Sequence, residues 1–253
     1  MKFDDLDKMM RVYETSLDQY VMPGVYIVAR IDGRSFTKLT KETLQLEKPF
    51  DMRFRDAMMA TVEHLMNSGF RIIYGYTESD EISLLFDLEE KSFSRKVRKL
   101  NSILAGEASA MFTLQTGTLA AFDCRICPLP DIGKVVDYFR WRSEDALRNS
   151  LNAYCYWRLR ELGKSQAEAT REVSGLSVAG KNELLFRSGI NFNNIPAWQK
   201  RGVGFYYEEY EKEAVDRKSN ELVKVVKRKL TCDLELPVGE QYSNLIRSIA
   251  IGS

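Results

Sequence analysis

Two apolar runs, FRIIYGYT (70–77) and EISLLFDL (81–88), stand only three residues apart, and that spacing limits the fold more than any other feature of the chain. Both are rich in β-branched and aromatic residues. With a short polar turn at Glu78, Ser79 and Asp80 between them, they read as an antiparallel hairpin. A similar run, YIVARIDG (26–33), precedes them, and another, AAFDCRICPL (120–129), follows. Between the first run and the hairpin, residues 51–68 read as a helix. Asp51 can cap it, Phe54, Met58, Val62 and Leu65 share a face, and Gly69 stops it. The basic stretch SFSRKVRKLNSILAGEASAMF (92–112) reads as a second helix. The order is β-α-β-β-α-β, the split ferredoxin-like α+β pattern.

Beyond residue 130 the pattern becomes helical. Residues 131–163 form a long helical region and SQAEATREVSG (165–175) a shorter helix. The stretch 202–236 reads as a β-hairpin turning near Asp216 to Asn220. The expected organisation is a sheet region over 1–130 and a region of C-terminal helices and a β-hairpin over 131–253, in one continuous structural domain.

Composition removes several functions. The formal net charge of +1 argues against a uniformly basic nucleic-acid binder, though not against local patches. No apolar run approaches the roughly 18 residues of a membrane span, so no membrane partner is expected. The acidic start MKFDDLDKMM lacks the apolar stretch of a secretory signal, and a cytoplasmic protein is expected. Cys124 and Cys127 lie on a strand at odd separation, which points them to opposite faces and away from a shared ion. The single histidine, His64, reads as an ordinary helix residue, and it excludes multi-histidine zinc sites. Catalysis must then rest on carboxylates, lysines, arginines or metal ions.

The first strand ends on a carboxylate, Asp32. In this topology it lies between the third and fourth strands, antiparallel to the third, so Asp32 neighbours Asp80 and Glu81. Clustered carboxylates repel unless something positive sits among them, and Mg²⁺ with substrate phosphates is the economical filler. Two such ions would serve an in-line nucleotidyl displacement, as in a polymerase palm. Taken singly, Asp-Gly after a strand and Ser-Asp-Glu at a hairpin tip are also plain turn chemistry. The backbone of Gly33, Arg34, Ser35, Phe36 and Thr37 can approach a triphosphate, and Lys48 can reach phosphates as a point charge. An ordinary loop and a solvated lysine are the alternatives. Arg95, Lys96, Arg98 and Lys99 make a basic run, and Arg140 and Arg142 flank Trp141, which can stack on a base.

The blocks RIDGRSF, KPFD, ESDEISLLF, FDCR, WRSEDALRNSLNAYCYW and KNELLFRSGINFNN occur in this order. Through them the chain resembles the tRNA(His) guanylyltransferase family of 3′-to-5′ RNA polymerases over about residues 5 to 205. The resemblance implies a polymerase palm, with the helical remainder binding tRNA. It implies activation of a 5′-monophosphate end with ATP, then attack by the 3′-hydroxyl of an incoming GTP or other nucleoside triphosphate. Carried over, Asp32, Asp80 and the Gly33 carbonyl are Mg²⁺ ligands and Glu81 a catalytic carboxylate. Gly33 to Thr37 and Ser79 hold the triphosphate, with Lys48 and Asp51 serving activation. Lys99, Lys181 and Asn191 match positions needed for activity or tRNA handling, and Arg148 joins the tRNA-binding set. A homotetramer is implied, with the closing hairpin a candidate interface.

One departure stands out: Leu147 occupies the place of a histidine that histidine-tRNA enzymes of the family carry. That divergence resembles the guanylyltransferase-like branch, which repairs 5′-truncated tRNAs by templated addition. The alternatives are strict addition of an extra guanylate to histidine tRNA and, in another class, a non-catalytic tRNA-binding protein with a relic palm. A cyclase-type palm fits less well, because its glycine-rich signatures are absent.

Overall fold

The computed structural model describes residues 1–215 and 222–252. Alternation along the first strand, β1 (Tyr26–Gly33), sets its architecture. Ile27, Ala29 and Ile31 enter one apolar cluster while Tyr26 and Val28 enter another, so pleating sends Arg30 and Asp32 to the second face. A strand buried on both faces needs a cover on each side, and helices supply both.

In chain order the elements are α1 (Phe3–Thr15), β1, α2 (Phe36–Lys38), α3 (Met52–Met66), β2 (Ile72–Glu78), β3 (Glu81–Phe86) and α4 (Val97–Thr116). There follow β4 (Phe122–Leu129), α5 (Ile132–Glu161), α6 (Gln166–Gly175), α7 (Val178–Arg187), α8 (Ala197–Arg201), β5 (Val203–Val215), β6 (Leu222–Asp233) and α9 (Gly239–Ile251). The strands form one antiparallel sheet in the order β4-β1-β3-β2-β5-β6. β1 lies between β3 and β4, as the β-α-β-β-α-β pattern requires.

On one face, α3 and α4 press Met58, Val62, Leu65, Leu104 and Phe112 onto Ile31, Ile82 and Leu84. On the other, the first half of α5 and the length of α9 bring Val135, Phe139, Tyr242 and Ile246 onto Val28, Tyr74 and Leu85. A third cluster is wholly helical: Leu151, Cys155 and Leu159 of α5 meet Ala169, Val173 and Leu185 of α6 and α7. Asp51 caps α3, accepting from the Arg53 N–H, and Ser165 with Glu168 makes a capping box on α6. Among the described residues no helix is long and apolar enough to cross a membrane.

Three differences from the sequence reading have physical causes. The closing hairpin belongs to the main sheet, because the start of β5 pairs with the free edge of β2 from Thr77↔Val203 to Tyr74↔Tyr206. Its expected turn lies outside the described residues. The basic stretch is not one helix from residue 92: Phe93, Ser94 and Arg95 take left-handed φ of 51°, 54° and 60°, and α4 starts at Val97. The helices α7, α8 and α9 lie in stretches to which the sequence reading gave no helix; α8 has only five residues, while α9 is amphipathic and places Tyr242 and Ile246 in the core.

Candidate active site

Pleating and register bring the charged groups to one place. Asp32 of β1 faces Glu81 of β3 directly, and both lie on the α5 side of the sheet. The β2–β3 turn is only Ser79 and Asp80, with Glu78 paired to Glu81. It is tied to the end of β1 by the Gly33 N–H donating to the Asp80 carbonyl at 3.0 Å. Ser79 adopts a left-handed φ of 51° and its hydroxyl donates to the Asp80 carboxylate at 3.2 Å. Burial, with the charge of Asp32 adding to it, pushes the Asp80 carboxyl up to about 6.

The positive charge among these carboxylates comes in part from the protein. Arg30 donates to Glu81 and, at 3.5 Å, to Asp32. Arg142 of α5 donates to Glu81 and, at 3.3 Å, to Asp145. Glu81 is thus held by two guanidinium groups, whereas Asp80 has none in the same role. A divalent ion is therefore not needed to balance Glu81, and Asp32 has Arg30 at 3.5 Å and Arg125 at 3.8 Å beside it, whereas Asp80 makes no ion pair among the described residues. Among the described residues no three His, Cys, Asp or Glu side chains converge on one point. Two carboxylates with a backbone carbonyl are the donor set that suits Mg²⁺ when phosphates complete its shell.

Beside the turn opens a cleft lined by Lys48, Asp51, Glu78 and Ser79 with Phe50 and Trp198. Burial, then the charge of Glu81, pushes the Glu78 carboxyl up to about 8. Lys48 lies 5.7 Å over the Trp157 ring. Asp51 is engaged structurally: it accepts from the Glu47 and Arg53 N–H groups and pairs with the Arg53 guanidinium, which together hold its carboxyl down at about 2.

The stretch after Asp32 divides by side chain. A Cβ on Gly33 would meet the Phe36 ring at 2.5 Å, so glycine is required for that ring to close over the strand end. Phe36 itself is core, packed among Phe54, Phe112 and Phe122, and only its backbone faces outward chemistry. Arg34, Ser35 and Thr37 are exposed.

The basic residues do not form one patch. Arg95, expected on an RNA surface, is buried and donates to the Val25 and Leu88 carbonyls. Arg142, also expected there, is only 3% exposed and held by its carboxylates. Neither guanidinium is free for a phosphate. Lys96 and Arg98 both bind Asp18. Lys99 is exposed and makes no ion pair among the described residues. Arg140 pairs with Glu144 and Arg148 with Asp145, and both remain exposed. Asn191 caps the turn Phe192–Asn194, and Lys181 lies half-buried on α7. Trp141 is 54% exposed with the Arg142 guanidinium 4.7 Å over its ring. His64 meets Glu107 on α4 at 2.6 Å.

Sequence reasoning missed Arg30, Glu78 and the pairing of Arg142. Arg30 carried a usable signal, since it alternates with Asp32 and must share its face.

Comparison with known proteins places these features in a family context. The model described as tRNAHis guanylyltransferase matches residues 7–130, and that described as Thg1 C terminal domain matches residues 133–246. A probable tRNA(His) guanylyltransferase of Drosophila melanogaster is 34% identical over 196 residues, covering 74% of this chain and 68% of its own. The tRNA(His) guanylyltransferase of Debaryomyces hansenii is 30% identical, covering 86% and 87%. A bacterial tRNA(His) guanylyltransferase-like protein solved in complex with ATP superimposes with a TM-score of 0.74 at 26% identity, over 97% of this chain and 99% of that one. The same kind of protein in complex with GTP gives 0.73 at 25% identity, with the same coverage. The Saccharomyces cerevisiae enzyme gives 0.69 at 27% identity, over 76% and 90%.

Proposed function

The chain belongs to the tRNA(His) guanylyltransferase family, a family of nucleotidyltransferases, and from that premise we propose that it adds nucleotides 3′-to-5′ at the 5′ end of tRNA, repairing 5′-truncated tRNAs under the direction of a template base. The observation that carries the reading is the pair Asp32 and Asp80, two carboxylates brought to adjoining strand ends by the Asp32–Glu81 register and the Gly33–Asp80 bond, beside a cleft lined by Ser79 and Lys48. The relatives solved with ATP and with GTP support nucleoside triphosphates as ligands here.

Asp32, Asp80 and the Gly33 carbonyl would hold Mg²⁺, two ions in all. The fit rests on hard oxygen donors meeting at adjoining strand ends, where Asp80 is half-buried, hydrogen-bonded by Ser79 and tied to Gly33 by its carbonyl. Bound there, the ions supply neutralisation of phosphate charge and a stronger nucleophile. The chain's own groups do the rest. Backbone N–H groups of Ser35, Phe36 and Thr37, with the Ser79 hydroxyl, hold the triphosphate, those of Gly33 and Arg34 being already donated to the Asp80 and Ala121 carbonyls. Lys48 meets the phosphates during activation of a 5′-monophosphate end. Asp51 fixes the backbone that presents Lys48, through its bond from the Glu47 N–H. Glu81, clamped by Arg30 and Arg142, holds the strand pair in register beneath Asp80. Exposed cations such as Lys99, Arg140 and Arg148 meet the tRNA backbone.

Two observations favour repair over strict histidine-tRNA modification. Leu147 replaces the family's histidine, and the bacterial guanylyltransferase-like protein aligns over 97% of this chain against 76% for the yeast enzyme. Assembly as a homotetramer belongs to the same reading. It is supported by α1, which buries none of its residues and leaves Phe3, Met10 and Tyr13 exposed, and by Tyr210 exposed on the hairpin.

The test is incorporation of labelled GTP onto a tRNA lacking its first nucleotide. The expected result is a higher kcat/KM than on intact histidine tRNA, with GTP chosen opposite C and UTP opposite A. Preference for the intact histidine tRNA would overturn the repair reading.

A further inference from the structure

A second cavity adjoins the cleft. It is an open groove between the loop after α2 and the helices α5, α6 and α7. Three lysines line it, Lys41, Lys48 and Lys181, and no carboxylate does. None of the three makes an ion pair among the described residues, so the wall of the groove carries three cations and no anion to balance them. Lys41 and Lys48 are close enough for their like charges to interact, which a protein tolerates where an anion is to be received.

The groove also offers a π surface. Tyr156 and Trp157 of α5 line it side by side, half-buried, and the Lys48 ammonium lies over the Trp157 ring. On the same wall the side-chain oxygen of Asn152 is buried with no hydrogen-bond partner, an acceptor awaiting a donor. Phosphate-binding cations beside aromatic rings, with a polar group between, are the elements that hold a single strand of nucleic acid.

Its position says which strand. Thr40, Lys48 and Pro49 line both cavities, so they form a shared wall between groove and cleft. A strand lying in the groove delivers its end to the carboxylate site across that wall.

We propose that this groove is the seat of the RNA strand whose 5′ end is extended, with Lys41 and Lys181 on its phosphodiesters and Trp157 stacked on a base. The inference rests on the tRNA-extending function proposed above, and assigns that function an entry path and two residues, Lys41 and Trp157, with a part in it.

The experiment measures binding of a fluorescent 5′-truncated tRNA transcript at several salt concentrations, and steady-state constants for tRNA and GTP separately. Lys41→Ala should weaken tRNA binding several-fold and reduce the slope of log Kd against log salt by roughly 0.7–0.9, the loss of about one phosphate contact. Trp157→Ala should weaken binding about tenfold, and Trp157→Phe should restore most of it because a stacking face remains. In all three variants KM for GTP stays near that of the unmodified protein. If Lys41→Ala instead raises KM for GTP and leaves the tRNA Kd and its salt slope unchanged, while inorganic triphosphate competes with GTP in the unmodified protein and less well in the variant, the groove holds a free polyphosphate and the proposal fails. Failure of the wider function looks different: the unmodified protein would bind the transcript yet add no label.

Discussion

Asp32 and Asp80 reach the same point from opposite strand ends, and their mutual charge helps lift the Asp80 carboxyl to about 6. Replacing either by asparagine keeps the shape and removes the repulsion. Asp32→Asn and Asp80→Asn should each abolish nucleotide addition while leaving the urea midpoint unchanged or slightly higher. Retained addition with Mg²⁺ as the sole divalent ion would count against their assignment. Asp51 behaves oppositely. Its carboxyl is held down to about 2 from 3.8 by Arg53 and by backbone N–H groups, so it stabilises the fold at pH values above 3.8 and loses that contribution as pH falls through 2. Asp51→Ala should cost about 1 kcal/mol at pH 7, the scale of a lost helix cap. Unfolding titrations should show the gap to the unmodified protein closing between pH 4 and pH 2. Asp32, Asp80 and Glu81 were legible in the sequence because topology alone makes them neighbours. Of the arginines on Glu81, Arg30 could have been read from its alternation with Asp32 on β1, whereas Arg142 comes from α5, outside the β-α-β-β-α-β unit, whose packing on the sheet no strand pattern reveals.

At the scale of elements, the strands of the β-α-β-β-α-β unit were legible because each is an apolar run bounded by turn residues. The attachment of the last hairpin was not. An edge can be read as a strand without revealing which other edge it joins, and β5 chose β2, more than a hundred residues upstream. That junction depends on Gly202. It has a φ of +76°, and a Cβ there would sit 2.5 Å from the Thr77 carbonyl oxygen. Gly202→Ala therefore combines backbone strain with a clash against backbone that cannot yield, and should destabilise by about 1–3 kcal/mol. A thermal melt would show it as a lowered Tm. An unchanged Tm would mean the β2–β5 seam contributes little.

For the molecule as a whole, one sheet is shared by both matched segments. The face carrying Val28, Tyr74 and Leu85, each 0% exposed, is covered by α5 and α9, both beyond residue 130. A fragment of residues 1–130 would present that face to water, well above the apolar patch that monomers tolerate. It should lack a cooperative melt and should aggregate, checked by circular dichroism and light scattering. A sharp transition near that of the full chain would show the first segment folds alone. The thirty residues of α5 add a metric property. One unbroken helix carries Arg142 beside the carboxylates and Trp157 beside the groove, fifteen residues further on, which is about 22 Å of axis. No joint interrupts it, so the two stations stand at a constant separation whatever sequence lies between them in a bound strand. Such a beam makes the protein a gauge of length: how far a strand projects past its seat, rather than which bases it contains, decides whether its end meets the carboxylates.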